Sequence, residues 1–380
     1  MNRKIILRVL LMLIIANSFI IIPSRAEPAL NSGLLLGLRR DAGNDCYDYV
    51  CSYRTLWITV DDNRIRVREG KGIYTYYGKT LWRIENRIYD NQLPSQYFDR
   101  AYVRIEYPVA YPASEGDFIA DVVHYAQSLT GESGGWESVY ESTRLGFVGR
   151  NHVGLQRNNA YNSGGTYRPE FADCFVRKIA KLNRSFIIRK GEEFETAGDE
   201  NLSIKTLFGK AVEPYLRKVR AMPVEVEPIG NDPKAINITD EYGWTLFRKK
   251  GSWQLKLAQK RRFTNLSTVM EDYDLQELPL EIPGDLVSEN RPGLSWAEIR
   301  KAAPDAVDYV SFPYRDLLVV FTPSKILIYR GKDLSHPEAV DLHKDEFLIM
   351  AEWAPVDDAE RWDRELKAET KPWVTLLPVR

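Results

Sequence analysis

The chain has 380 residues, with 52 Lys and Arg against 53 Asp and Glu, a formal net charge of −1, and 12% aromatic residues. No basic cluster accompanies that near-balance, which argues against a nucleic-acid partner. The length allows one large domain or two ordinary ones.

The first segment, "MNRKIILRVLLMLIIANSFIIIPSRAEPA", opens on Arg3 and Lys4 and then runs apolar from Val9 to Ile22, broken only by Asn17 and Ser18. Ser24 and Ala26 put small residues at the two positions a signal peptidase reads, so residues 1–26 are expected to be a cleaved secretory signal peptide. The apolar run is short for a membrane span of roughly 20 residues. That segment holds Arg3, Lys4, Arg8 and Arg25 and no acid, so the mature chain would carry a net charge of about −5. Nothing later is long and apolar enough to span a membrane, and the expected location is secreted or extracytoplasmic.

Cys46 and Cys51 in "CYDYVC" are close enough for a disulfide, which an exported protein permits. "RIRVREGKGIYTYYGKTLWRI" (64–84) reads as three strands separated by Gly turns. "YVRIEY" (102–107) alternates apolar and polar and is expected to stop at Pro108. "DFIADVVHYAQSL" (117–129) gathers Phe118, Ile119, Val122, Val123, Ala126 and Leu129 on one helical face, with Asp117 as N-cap.

Directly after it, Gly131-Glu132-Ser133-Gly134-Gly135 satisfies G-x-S-x-G, a pattern tied to serine nucleophiles. A nucleophile elbow needs a buried strand entering the turn, and here the entering segment has a helical period. "GESGG" is also similar to the "GDSGG" of chymotrypsin-like proteases over five residues. The upstream histidine, His124, lies only nine residues before Ser133, not in a preceding barrel. Ser133 therefore reads as part of a loop after a helix.

"RPEFADCFVRKIAKL" (168–182) places Phe171, Cys174, Phe175, Ile179 and Leu182 at helical spacing and begins with a first-turn proline, which predicts a helix with Cys174 as a buried, inert thiol. "SFIIRKGEEF" (185–194) and "GWTLFRKKGSWQLKL" (243–257) read as hairpins. Between them the proline-rich "MPVEVEPIGNDP" (222–233) suggests a boundary near 225, dividing residues 27–224, rich in β with helices, from residues 225–380, an antiparallel meander region. "SWAEIRKAA" (295–303) carries Ser295 and Glu298 in capping-box spacing. In 306–354 four or five short strands follow one another through short turns and should pair antiparallel. "DAERWDRELKAET" (358–370) is a charged helix with Trp362 and Leu366 as its apolar pair, expected at the surface or folding back late.

The fold class expected is mainly β with some helices (α+β), built from antiparallel meanders. A four-stranded meander is also the unit of a β-propeller blade, so a propeller-like arrangement stands beside a pair of unrelated sheets. The motif "apolar strand, basic residue, Gly" near Gly70, Gly191, Gly251 and Gly331 has no fixed period.

Chemistry is sparsely signalled. The four histidines form neither H-x-H nor H-E-x-x-H, so no metal is expected. Asp61-Asp62-Asn63, Asp199-Glu200-Asn201 and Asp357-Asp358 lack the ordered EF-loop pattern, and the first reads as a turn. No phosphate loop or dinucleotide fingerprint appears, and no cofactor is expected. Asn183, Asn201, Asn237 and Asn265 begin N-x-[ST] triplets. Asp308 and Glu352 are acids in strand-like segments, candidates for a glycosidase pair. Trp57, Trp82, Trp136, Trp244, Trp253 and Trp353 lie in or beside strands, either as core or as a platform for glycan or protein. Two functions result: an exported, non-catalytic protein binding a glycan, envelope component or protein partner, or a secreted hydrolase acting on glycans through paired carboxylates.

Overall fold

A computed structural model describes residues 33–42, 50–61, 64–93, 101–115, 138–163, 166–186, 201–224, 234–265, 268–288, 293–311, 317–330, 334–355, 358–369 and 373–377. The strands in chain order are β1 (Gly33–Ala42), β2 (Val50–Asp61), β3 (Arg64–Lys71), β4 (Ile73–Tyr77), β5 (Thr80–Leu93), β6 (Ala101–Pro112), β7 (Ser138–Val148), β8 (His152–Ser163) and β9 (Thr166–Lys178). There follow β10 (Lys234–Asn237), β11 (Trp244–Lys249), β12 (Ser252–Asn265), β13 (Thr268–Leu278), β14 (Asp308–Ser311), β15 (Leu317–Phe321), β16 (Lys325–Arg330), β17 (Glu338–Asp341), β18 (Glu346–Trp353) and β19 (Val374–Leu377). The α-helices are α1 (Ile204–Phe208), α2 (Glu213–Arg220), α3 (Trp296–Ala302) and α4 (Ala359–Ala368).

Hydrogen bonding joins these strands into a first sheet ordered β18-β1-β2-β3-β19, a long sheet β10-β12-β13-β9-β8-β7-β6-β5-β4 with β11 on β12, and a third sheet β14-β15-β16-β17. The long sheet is continuous across β13 and β9 only through one parallel pair, Glu271↔Phe171. Parted there, the protein is mostly β, with four sheets arranged like the blades of a four-bladed β-propeller. The expected mainly-β, meander-built and propeller-like class is the observed one.

The ring closes through side-chain packing. β1 contributes a run buried on both faces. Leu34, Leu36 and Leu38 meet Val319, Phe321, Ile326 and Ile328 of the third sheet, whereas Leu35 joins a cluster with Ile73, Ile84 and Leu155 of the long sheet. Within the long sheet, Phe147 and Val176 pack with Trp244, Trp253 and Leu255, covered by α1 and α2 through Ile204, Leu216 and Val219. Arg248 of β11 then reaches Asp308 and the Tyr309 carbonyl of β14. The 243–257 hairpin forms as expected, with Lys250 and Gly251 at φ 50° and 86°. A β-carbon at Gly251 would lie 2.3 Å from the Tyr309 ring, so glycine is needed there for conformation and space.

Several elements depart from the sequence reading. Residues 166–178 are strand β9, not a helix. Asp173, Cys174, Phe175, Val176 and Arg177 are all buried, and a strand buried on both faces loses its period of two. Only Ile179–Phe186 is helical, as a 3₁₀ segment. β6 runs through Pro108 to Pro112. β7 pairs with it only over Tyr102–Glu106, and beyond that no strand among the described residues pairs with this side of β6, so proline is tolerated there. Of the three strands in 64–84, β4 and β5 form a hairpin, but β3 belongs to the first sheet. The chain changes sheets at Gly72 (φ 95°). The 306–354 series stops at β17, and β18 leaves it to pair antiparallel with β1. α4 is not peripheral, because Trp362 and Leu366 are buried in the core. α3 carries the expected capping box, Ser295 with Glu298. The expected helix at 117–129 and the Ser133 loop lie outside the described residues; of the expected 185–194 hairpin, Ser185 and Phe186 end the 3₁₀ segment and the rest lies outside them. The first sheet takes strands from both sides of residue 225.

Candidate functional site

Among the described residues, a cluster of polar and charged groups lies where the first sheet meets the long one. The Arg39 guanidinium pairs with Asp41 at 2.9 Å and donates to the Leu145 carbonyl and to Gln156. Arg144 reaches the same Asp41 at 3.5 Å, and its Nε donates to Gln156 Oε1 at 3.1 Å. The Cys51 thiol donates to Asp41 at 3.3 Å, and its backbone N–H donates to Glu106 at 2.7 Å. Glu106 also accepts from Asn86 Nδ2 and from Ser142 Oγ. Burial pushes Glu106 above the usual carboxylate range, against the pull of those donors and of Arg104. Burial, with Asp41 and Glu106 close by, pushes the Cys51 thiol far up, so it stays protonated and non-nucleophilic.

Glu352 is a second buried acid. It accepts from Thr75 Oγ1 at 2.8 Å and from the Tyr76 N–H at 3.5 Å, tying β18 to β4. Burial raises its pKa to about 7, with Arg150 pulling the other way. Asp308 sits in another sheet. Its two oxygens take Arg248 Nε at 2.9 Å and the Gly251 N–H at 2.6 Å. The two acids paired by sequence thus have separate partners and stand on separate sheets.

The tryptophans belong largely to the core: Trp57, Trp244, Trp253 and Trp353 are buried and Trp82 is half-buried, whereas Trp136 lies outside the described residues. Cys174 is buried, as expected, and burial pushes its thiol up. Cys51 is a free, buried thiol in this structure, without the bridge to Cys46 that its spacing suggested, and Cys46 itself lies outside the described residues. Asp61 pairs with Arg64 at the end of the β2–β3 hairpin, and Asp62 and Asn63 lie outside the described residues. Asp358 receives Arg361, and Asn201 receives Arg177. Asn237 is held by the Val219 and Met222 carbonyls, so its side chain works inside the fold. Among the described residues no group of three or more His, Cys, Asp or Glu converges as a metal site, and no helix is long and apolar enough to cross a membrane.

No protein family, curated protein or solved structure matches the chain. The site therefore rests on its own geometry. Arg39 and Asp41 come from β1, Glu106 from β6 and Arg144 from β7, so no local motif gathers them. The available hint was the alternation in "YVRIEY", which sets Arg104 and Glu106 on one face.

Proposed function

We propose that this is an exported, non-catalytic binding protein for a glycan, envelope component or protein partner. The observation that carries the reading is the internal use of the acids. Asp308 is occupied by Arg248 and the Gly251 N–H, and Glu352 by Thr75 and Tyr76, in different sheets. A glycosidase needs two carboxyls facing one sugar bond at a defined separation, and neither of these is placed with the other. The expected leader at residues 1–26 supplies the route of export.

The test uses the purified mature chain on immobilised polysaccharides and cell-wall material, with turnover of the same glycans measured in parallel. Retention without turnover is the expected result. Turnover that is lost in Asp308→Asn or Glu352→Gln would replace this reading with the hydrolase one.

A further inference from the structure

The register across β5, β6, β7 and β8 places one set of side chains on a common face. Ile88 opposes Glu106, and Asp90 opposes Arg104. In the parallel step, Arg104 lies beside Tyr140 and Glu106 beside Ser142. Ser142 then opposes Asn158, and Arg144 opposes Gln156. At the buried end of this face is the Glu106 cluster. At the other end the side chains open to solvent: Tyr102, Arg104 and Tyr140 are half-exposed, and Ile88, Asp90 and Asn158 are exposed.

Tyr102 and Tyr140 form a pair with ring centroids 5.6 Å apart. Two neighbouring rings flanked by amide, hydroxyl and guanidinium groups offer apolar faces and directional hydrogen bonds together. That combination fits a sugar, which is apolar on its C–H faces and polar at its rim. The face is also close to electrically neutral. Arg104 faces Asp90 at 3.8 Å, and Arg39 and Arg144 share Asp41 with the Glu106 carboxyl nearby, so three basic groups stand against three acids. A neutral face gives no long-range attraction for a polyanion. Three strand spacings separate Ile88 from Asn158, about 14 Å, enough for a short oligosaccharide.

We propose that this face of β5–β8, centred on Tyr102 and Tyr140, is a binding platform for an uncharged oligosaccharide. The inference rests on the binding-protein reading above and narrows it to one ligand class and one surface. The rings supply stacking, and Arg104, Asn158 and Asp90 supply hydrogen bonds at the rim.

The experiment is affinity electrophoresis and titration of the mature chain with soluble β-glucan, mannan and chitin oligomers, with a polyuronate as the acidic comparison. Binding to an uncharged glycan, lowered about tenfold by Tyr102→Ala or Tyr140→Ala, is the expected result. Tyr102→Phe keeps the ring and should retain binding, which separates lost stacking from lost folding, and Asn158→Ala gives a milder loss from an exposed position. Tyr242→Ala, at an exposed ring elsewhere, should bind as the parent does. If the parent binds but the Tyr102, Tyr140 and Asn158 variants bind equally well, the platform is overturned and the binding-protein reading survives. Preference for the polyuronate overturns the ligand class. Binding to none of these glycans overturns the platform, while retention on a defined protein partner would still leave the broader reading standing.

Discussion

The first sheet meets two unlike neighbours. Toward the third sheet it shows Leu34, Leu36, Leu38, Leu56 and Ile58, all fully buried, against Val319, Phe321, Ile326 and Ile328. Toward the long sheet the packing around Leu35 is interrupted by Glu352 and flanked by Arg39, Asp41, Cys51 and Glu106. Apolar burial is strong but non-directional, so the dry seam supplies stability without dictating alignment. In the polar seam each buried group must meet its own partner, so that seam demands one alignment of the two sheets.

Substitutions can break this contrast. The largest effect is expected in the dry seam, where Leu36→Ala should cost about 4 kcal/mol, read as a lowered denaturation midpoint with little change in pH dependence. In the polar seam the signature should be pH dependence. The folded pKa of Glu352, about 7, stands above its ordinary 4.5, so the folded state holds the proton more tightly. Stability from this group is therefore full below pH 4.5, falls as pH rises to about 7, and is level beyond. The fall is on the order of 3 kcal/mol, and Glu352→Gln should remove it in denaturation curves collected between pH 4 and 8. Glu106 shifts in the same direction and leaves a residual slope of the same sign.

A smaller loss, about 2 kcal/mol, is expected for Asn86→Ala, which takes a donor from both Glu106 and the Cys51 carbonyl. Its sharper readout is the Glu106 titration, which should move further upward by NMR. The smallest effect belongs to Ser295→Ala, outside both seams. Losing the capping box of α3 should cost about 1 kcal/mol in a thermal melt, without altering pH dependence.

Local signals were legible where chemistry acts over a few residues. The Lys250-Gly251 turn, the Ser295–Glu298 box and the β14–β17 meander could be read from adjacent positions. β9 was misread because Phe171, Cys174, Phe175, Ile179 and Leu182 have helical spacing, yet both faces of that strand are covered. The tryptophans gave no sign of which were covered, since β-propensity and burial favour the same residues. Asp308 and Glu352 looked alike as acids in strands, and only their partners, Arg248 for one and Thr75 with Tyr76 for the other, distinguish them.

By itself the sequence determined the β-rich class, the 243–257 hairpin with its turn glycine and the helix cap, because each depends on backbone preference and neighbours within a few positions. The tertiary structure alone decided that β18 leaves its own meander for β1, and that Asp41 and Glu106 meet around Cys51. Those outcomes depend on pairing and burial between residues far apart in the chain. Loop closure brings such residues together only when the whole ring of sheets is assembled.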